Sequence, residues 1–517
     1  MRRVLIAGAI LALVSVLAGL SWPDHDDPSR AAARTRQSGA AMPVPRRRPV
    51  SARPPYAPAS GRAAVNVFPD ATGPDVPRSY LGLSTEYWAL PVFERRMKLM
   101  QAVLALLRVP GDGPLVLRVG GDSADHSFWN PRPRRMPTWA FALTPAWLQR
   151  TSVLVNRSGA RLILDLNLVT DSPGTAAEWA RAAGSGLPPH SISGFEIGNE
   201  PDLYSRWFWR AVISAGAVRD AVLPRDLTAA SYTRDFRRYA RSLDGVAPDV
   251  PLAGPALANP VAHEHWFRAL IAGARHSLGF VSAHRYPYSA CAAPGSNSYP
   301  TIARLLSEAA SAGIAGSLRR PVDLAHRHGL RFRLTELNSV TCGGRPGISN
   351  AFATALWAPD ALFELMRTGV DSVNLHVRSD AVNAAFALSA RGLAARPLLY
   401  GLIAFAQTLG TNPRQLVPAP VLASPSVHLK AWAVRDSGNG LHVLLINKGP
   451  QAVTVTLRIP ASGRASLQRL LAPSAAARSG VTLGGRWLGR AGRWIGRPRT
   501  ETIIPGPRGY VVTVPRQ

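Results

Sequence analysis

Residues 194–202 have the sequence GFEIGNEPD, which is typical of a short buried strand that ends in a polar Asn-Glu-Pro turn. Taken alone this pattern is weak, because Pro often ends a strand and Asn and Glu are common in loops. A matching context occurs at FRLTELN, residues 332–338, where Glu336 stands at the end of a second apolar run. Two glutamates at the ends of two buried strands are what a retaining glycosidase needs.

Short apolar runs alternate with amphipathic helical stretches through residues 79–415. Runs without polar alternation indicate strands buried on both faces of a parallel sheet. We predict strands at Tyr80–Thr85, Leu115–Gly120, Arg161–Asn167, Gly194–Asn199, Leu252–Ala256, Phe280–Tyr286, Phe332–Leu337 and Ser372–Val377. The predicted helices include Ala146–Asn156, Tyr232–Leu243, Ile302–Ala312, Phe352–Arg367 and Pro397–Leu409. The fold class is therefore α/β, a (β/α)8 TIM barrel whose active site lies at the strands' C-terminal ends.

The pattern changes at residue 416 and stays β-rich to residue 517. The predicted strands are Val427–Arg435, Leu441–Asn447, Val453–Ile459, Ser466–Leu471 and Gly509–Val514, with a strong turn signal at residues 436–440. We expect a C-terminal antiparallel β-sandwich of about eight strands. Residues 62–78 precede the barrel, and Ala63–Phe68 is expected to add a strand to this β-domain.

The N-terminus has the features of an export segment. Arg2 and Arg3 precede an apolar run that ends near Leu20, so residues 1–21 are interpreted as a signal peptide or a short membrane anchor. Residues 22–61, rich in Pro, Arg, Ala and Ser, are interpreted as a disordered linker. We expect an exported protein, periplasmic or extracellular, and anchoring through this segment stays an open alternative.

Charge and cysteine content narrow the possible partners. The net charge of +29 arises from 60 Lys and Arg against 31 Asp and Glu, but the arginines are dispersed and no compact nucleic-acid motif accompanies them. We therefore expect no specific nucleic-acid partner, and an acidic substrate or anionic surface fits the charge equally well. Cys291 and Cys342 each follow a predicted barrel strand, so we predict a disulfide between them in an exported chain, with two unpaired, buried thiols as the alternative.

The two glutamates are assigned different roles in a retaining mechanism, in which two carboxyl groups lie about 5–5.5 Å apart. Glu200 is the expected acid/base and Glu336 the expected nucleophile. Asn199 would hydrogen-bond the sugar 2-hydroxyl. Glu196 lies four residues before Glu200, deeper on the same strand face, and is expected to be a structural carboxylate near an arginine.

Other polar residues at strand ends are expected to converge on the same mouth: Glu86, Asp122, His284, Tyr286 and His376. Tyr286 is the candidate for orienting the nucleophile, whereas Asp122 could bind sugar or simply cap a helix. No second ligand stands at metal-binding spacing from His284, so neither metal nor cofactor is expected. Gly343 and Gly344 could donate backbone N–H groups to a sugar carboxylate or form an ordinary turn.

The motifs LRVGGDS (117–123), FEIGNEPD (195–202) and TELNSVTCGG (335–344) resemble glycoside hydrolase family 79, which contains bacterial β-glucuronidases and heparanases. The resemblance covers about residues 63–515. It implies a retaining β-glucuronidase with Glu200 as acid/base and Glu336 as nucleophile, Glu86 on sugar hydroxyls, and Gly343-Gly344 with Tyr286 near the glucuronate carboxylate. Asp122 stands where many relatives have Asn, and His376-Val377-Arg378 matches no carboxylate-binding pattern of the family.

The sequence thus predicts a secreted β-glucuronidase that acts on a carbohydrate containing uronic acid. Two alternatives remain: a retaining β-glycosidase for a neutral sugar, and a non-catalytic carbohydrate-binding envelope protein on the same scaffold. Intact Glu200, Glu336 and Asn199 argue against the non-catalytic alternative, because a disused site usually loses one such residue.

Overall fold

A computed structural model describes residues 61–516 except 133–134, 137–138, 205–226 and 461–462. Its centre is a closed barrel in which eight parallel strands pair in chain order. The strands are β1 (Leu81–Glu86), β2 (Val116–Gly120), β3 (Arg161–Leu166), β4 (Ile192–Ile197), β5 (Leu252–Leu257), β6 (Leu278–Arg285), β7 (Arg331–Leu337) and β8 (Ser372–His376). Every predicted barrel strand is confirmed, and most of their residues are buried, as parallel strands covered on both faces require.

Helices surround the barrel and bury their apolar faces against it. They span Leu90–Glu94, Met97–Leu107, Pro145–Ser158, Pro173–Gly186, Ala229–Asp244, Glu264–Ala274, Ile302–Leu305, Ala312–Ser317, Arg319–Arg327, Ala353–Thr368 and Pro397–Leu409. The single helix predicted at 302–312 is wrong, because the chain becomes extended at Ser307. The Ser307 hydroxyl donates to the carbonyl of Arg304, a local bond that competes with helix continuation.

The β-domain packs two sheets face to face. One has the strand order Val421–Ala423, Gly61–Asn66, Val453–Arg458, Tyr510–Val514, and the other Pro413–Val417, Leu429–Asp436, Leu441–Asn447. The segment before the barrel therefore contributes a strand, and it pairs in parallel with Val453–Arg458, an exception to the antiparallel arrangement expected. The strand Pro413–Val417 begins before the expected boundary at 415/416.

Short two-stranded ribbons complete the described chain. They are Ser127–Trp129 with Phe141–Leu143, Tyr288–Ser289 with Val340–Thr341, Phe386–Ser389 with Gly392–Ala395, Ala465–Leu467 with Glu501–Ile503, Leu470–Leu471 with Thr482–Leu483, and Trp487–Leu488 with Trp494–Ile495. The sandwich sheets accordingly hold fewer strands than the eight expected, because residues 465–503 form ribbons. Across the described residues, no helix combines the length and apolar character needed to cross a membrane. Residues 1–60, which hold the predicted signal segment and all of the predicted linker 22–61 except its last residue, lie outside the described residues. That last residue, Gly61, is not linker but begins a strand.

A buried group of charges joins the β-domain to the barrel, and we call it the interdomain cluster. Lys448 lies against Asp360 of helix Ala353–Thr368, and both side chains are almost completely buried. Lys430 Nζ lies 2.7 Å from Glu308 and 2.8 Å from Glu364. Trp432 and Phe363 stack beside these ions with ring centroids 5.4 Å apart. Each lysine of the β-domain therefore has a carboxylate partner on the barrel.

Candidate active site

The buried guanidinium of Arg118, on β2, organises the barrel mouth. It donates to Glu196 at 2.8 Å, to Asp165 at 2.8 Å and to the Asn199 side-chain oxygen at 2.9 Å. Its third nitrogen lies 3.2 Å from Glu336. The neighbouring carboxylates raise the Arg118 pKa against its burial, so this cation stays charged. The expectation that Glu196 is a buried carboxylate beside an arginine is confirmed.

Glu336, at the C-terminal end of β7, lies among donors and positive charges. Tyr286 donates its hydroxyl to Oε1 at 2.6 Å, and His376 Nδ1 lies 2.9 Å from Oε2. Burial alone would raise the Glu336 pKa, but His376, His284 and Arg118 hold it well below its usual range. The Tyr286 pKa is raised by burial and by this carboxylate, so the phenol keeps its proton and remains a donor. Glu336 is therefore an ionised, oriented carboxylate.

Glu200 follows β4 and has the opposite electrostatic character. Burial raises its pKa to about 7, and the negative charge of Glu336 adds to the effect. His284, on β6, lies with Nδ1 2.8 Å from Glu200 Oε1 and limits the shift. The Glu200 backbone is left-handed, with φ +50°, and its N–H donates to the Ala256 carbonyl. This uncommon conformation follows from the tight turn between β4 and Pro201.

The end of β1 brings Glu86 to the same mouth. The Ser123 N–H donates to Glu86 at 2.9 Å, and His376 Nε2 lies 3.8 Å from the other carboxylate oxygen. Burial is the largest cause that raises the Glu86 pKa, followed by the charge of Asp122. Gly121 has φ +69°, and a Cβ there would lie 2.5 Å from the Glu86 carboxylate. Only glycine allows this approach.

Asn199 and Asp122 occupy the space between these groups. The Asn199 amide lies 3.4 Å from an Asp122 carboxylate oxygen, a long contact for a hydrogen bond. Asp122 is exposed within the short 3-10 helix Gly121–His126, whose N-cap is Gly120. The helix-cap alternative for Asp122 is therefore wrong, and its carboxylate is open to a ligand.

The loop after β7 carries the two glycines predicted to bind a carboxylate. Gly343 and Gly344 have φ values of +73° and +89°. The Gly344 N–H donates to the Thr341 carbonyl at 3.1 Å, so it is not available for a ligand. Of the two glycines, only Gly343 is left as the predicted N–H donor to a sugar carboxylate. A Cβ on Gly343 would lie 3.6 Å from an Arg378 nitrogen. The half-buried side chain of Arg378 thus places a positive charge beside this loop. The sequence motif alone does not show this proximity.

The predicted disulfide between Cys291 and Cys342 is confirmed, with Cα atoms 6.1 Å apart. It joins the loop after β6 to the loop after β7. Tyr288–Ser289 pairs with Val340–Thr341 beside it. The two loops that follow Tyr286 and Glu336 are therefore linked twice, by a covalent bond and by a short ribbon.

Three potential metal ligands come together here although their sequence spacing gave no sign of it. A Glu200 oxygen, a His284 nitrogen and a Glu336 oxygen all lie within 4.8 Å of one another. Arg118 already places a positive charge beside Glu336, and the Glu200 carboxyl group already pairs with His284. The donor set suits proton transfer between paired groups better than it suits a cation.

The sequence predicts most of the residues at the mouth, but it does not predict the contacts of Arg118 and His376. Arg118 stands within the LRVGGDS motif, which gives no sign that its side chain contacts four polar side chains at the mouth. His376 was placed at the mouth without a partner, although it lies against Glu336. Alternation along β8, which turns residues 374 and 376 to one face, is the signal that points His376 inward.

Comparison with known proteins found one curated sequence relative and several similar solved structures. No protein-family model matches the chain. The chain is 24% identical over 435 residues to a β-glucuronidase of Neurospora crassa, covering 74% of this chain and 75% of that protein. Its structure is similar to that of a 4-O-α-L-rhamnosyl-β-D-glucuronidase from Fusarium oxysporum. The TM-score is 0.69 at 16% identity, and the match covers 88% of this chain and 97% of that one.

A second solved structure with this fold is AbfB, a family 51 α-L-arabinofuranosidase from Bifidobacterium longum. The TM-score is 0.62 at 15% identity, with coverage of 88% of this chain and 98% of that one. Both structures combine the same overall architecture with sequences that have diverged widely. The chain therefore has the fold of glycoside hydrolases, and a β-glucuronidase is among its sequence relatives.

Proposed function

We propose that the protein is a retaining β-glucuronidase in which Glu336 is the nucleophile and Glu200 the acid/base. The observation that carries this proposal is the pair itself: oxygens of the two carboxyl groups lie within 4.8 Å, and their pKa values are shifted in opposite directions. Inverting enzymes separate their carboxyl groups by about 6.5–9.5 Å to admit a water molecule. Two close carboxyl groups, one protonated near neutral pH and one ionised, suit double displacement.

In the first step, Glu336 attacks the anomeric carbon while Glu200 gives its proton to the departing glycosidic oxygen. Arg118 and His376 keep Glu336 ionised, and together with the Tyr286 hydroxyl they fix the orientation of its carboxylate. As the covalent ester forms, Glu336 loses its negative charge. The electrostatic cause that raised the Glu200 pKa then weakens.

In the second step, Glu200 is a carboxylate and removes a proton from an incoming water molecule. The hydroxide attacks the anomeric carbon from the face opposite Glu336, and the ester bond breaks. The sugar leaves with its original β configuration, and Glu200 is protonated again. His284, 2.8 Å from Glu200, keeps the carboxyl group oriented through both steps.

Preference for glucuronate is the finer part of the proposal. The support is the half-buried Arg378 beside Gly343, the overall charge of +29, and the relative described as a β-glucuronidase. A guanidinium recognises a carboxylate more strongly than a neutral hydroxymethyl group. We also propose export, because disulfides such as Cys291–Cys342 persist in oxidising compartments.

A panel of chromogenic β-glycosides tests the proposal, with glucuronide beside glucoside, galactoside and xyloside. We expect the glucuronide to have the highest kcat/KM and proton NMR to detect the β-anomer as the first product. An α-anomer would contradict the retaining mechanism. Preference for a neutral glycoside would support the neutral-sugar alternative, and the absence of hydrolysis across the panel would support a non-catalytic scaffold.

A further inference from the structure

The ribbon at residues 485–499, which we call the tryptophan hairpin, has two different faces. Trp487–Leu488 pairs with Trp494–Ile495 in antiparallel register. On the inner face the Leu488 N–H donates to the Tyr400 hydroxyl at 2.9 Å, and the Trp494 ring packs edge-on against Tyr400. The inner face therefore anchors the hairpin on a barrel helix.

The outer face of the hairpin leaves apolar side chains in solvent. Trp487 is 45% exposed and its cross-strand partner Ile495 is 46% exposed. The Trp487 ring lies against Gly496, where a Cβ would stand only 2.9 Å from a ring carbon. Glycine thus allows the ring to lie along the ribbon with one face free. An exposed apolar pair that is supported in this way is a candidate contact surface.

Positive charge surrounds this apolar pair. The exposed side chains around it include Arg490, Arg493, Arg497 and Arg499. The sequence contains no Asp or Glu from residue 437 to residue 500. The first carboxylate after it, Glu501, is held by Arg469 at 2.5 and 2.9 Å. The hairpin therefore presents an exposed Trp ring flanked by four exposed arginines, which favours an anionic ligand.

The hairpin lies on the side of the barrel that carries the active site. The Leu393 N–H donates to the Arg490 carbonyl at 2.8 Å, and Leu393 belongs to the ribbon that connects β8 to its helix. A Cβ on Gly492 would lie 2.9 Å from Ala102, the central residue of helix Met97–Leu107, so the hairpin reaches from this ribbon along the outside of the barrel. Connections that follow barrel strands lie at the C-terminal face.

We propose that the tryptophan hairpin is a second carbohydrate-binding surface for an acidic polysaccharide, holding the polymer while one end enters the barrel mouth. The proposal rests on the glucuronidase function proposed above. Trp487 would stack on a sugar ring, and Arg490 and Arg493 would pair with carboxylates, which guanidinium groups bind in a bidentate manner. A tethered polymer raises the effective concentration of its end at the active site.

Binding of hyaluronan fragments, measured by titration calorimetry with the full chain, tests the surface directly. We expect Trp487→Ala and the double variant Arg490→Gln/Arg493→Gln each to weaken binding about tenfold. The double variant Arg458→Gln/Arg464→Gln removes the same charge from elsewhere on the β-domain and should bind like the wild type. Neutral dextran should not bind. Equal losses in both double variants would overturn the proposal, because they would indicate attraction to net charge alone.

Kinetics distinguish this proposal from the function on which it rests. We expect Trp487→Ala to raise KM for a glucuronate polymer about tenfold while kcat/KM for a small aryl glucuronide is unchanged. Loss on both substrates would overturn the proposal. If the wild type binds hyaluronan through the hairpin but cleaves no glucuronide, the catalytic proposal fails and the binding surface stands. Preferential binding to phosphatidylserine vesicles with no affinity for hyaluronan would instead identify a membrane contact and overturn it.

Discussion

Two buried groups of charges in this chain differ in their balance of acids and bases. In the interdomain cluster, Lys430 and Lys448 face Asp360, Glu364 and Glu308, and Arg367 lies against Glu364. At the barrel mouth Arg118 faces Asp165, Glu196 and Glu336, Glu200 and Glu86 lie close by, and the second permanent cation is Arg378. The first group pairs its charges almost completely, whereas the second has more carboxyl groups than permanent cations.

The difference determines what each group can do. Where each carboxylate has a cation, the paired charges serve to fix one domain against the other. Where carboxyl groups are in excess, burial raises the pKa of some of them, as it does for Glu200, Glu86 and Asp165. An excess of buried acids is thus a structural source of exchangeable protons. Four predictions test this contrast.

The largest effect is expected from Glu336→Gln. The variant keeps the shape of the side chain but lacks an attacking carboxylate, so kcat should fall on the order of 10⁴-fold or more. The matched control is Glu308→Gln in the interdomain cluster, which should keep full turnover. Near-normal rates for Glu336→Gln would remove it from the nucleophile role.

Glu200→Ala should lose less, and by an amount that depends on the leaving group. General acid catalysis contributes about 10²–10⁴-fold, so alkyl glucuronides should be affected most and activated aryl glucuronides least. Added azide should fill the space left by the side chain and yield a β-glucuronosyl azide, detectable by NMR. An equal loss on all leaving groups, with no azide product, would show that Glu200 does not protonate the leaving oxygen.

Lys448→Met should affect stability and leave chemistry alone. It removes the closest cation from buried Asp360, so we expect a loss of about 3 kcal/mol in the free energy of unfolding. Urea denaturation measures this loss, and kcat on an aryl glucuronide should not change. Lys98→Met, on an exposed helix position, is the control and should be nearly neutral. A large fall in kcat for Lys448→Met would contradict the separation of roles.

The smallest effect is a shift in pH dependence. Glu200 must be protonated to act as an acid, so kcat/KM should fall above about pH 7. The Glu336 pKa lies well below the usual range of glutamate, so Glu336 stays ionised and activity should persist at correspondingly low pH. His376→Gln removes a cation that favours ionised Glu336, raises that pKa, and should move the acid limb to higher pH. His276→Gln, at an exposed position just before β6 and so at the barrel end opposite the mouth, should leave the profile unchanged. Identical profiles for both variants would show that the His376 contact does not set the acid limb.

The barrel could be predicted because its information is local. Each strand from β1 to β8 is a short, mainly buried segment that lies between turn or helix signals. The β-domain was harder. Residues 465–503 contain apolar residues at strand spacing but pair only as short ribbons, and their partners are fixed by contacts with barrel helices such as the one containing Tyr400.

The site was predictable as a list of residues but not as a network. Glu200, Glu336, Tyr286 and His284 were identified because the ends of parallel strands meet at one face. Which of them touch depends on register and side-chain rotamers around the closed barrel, which no local pattern encodes. The contacts of Arg118 with Glu336 and of His376 with Glu336 span 218 and 40 residues respectively. Only the assembled barrel reveals them.

The left-handed backbone at Glu200 has a consequence for how this scaffold can change over time. An L-residue in that conformation costs roughly 1–2 kcal/mol relative to glycine, which adopts it freely. If Glu200 is the acid/base proposed above, activity and stability impose opposite demands on position 200. A descendant released from that role would gain stability by exchanging Glu200 for glycine, so a glycine at position 200 would mark a lineage in which selection for the acid/base had ended.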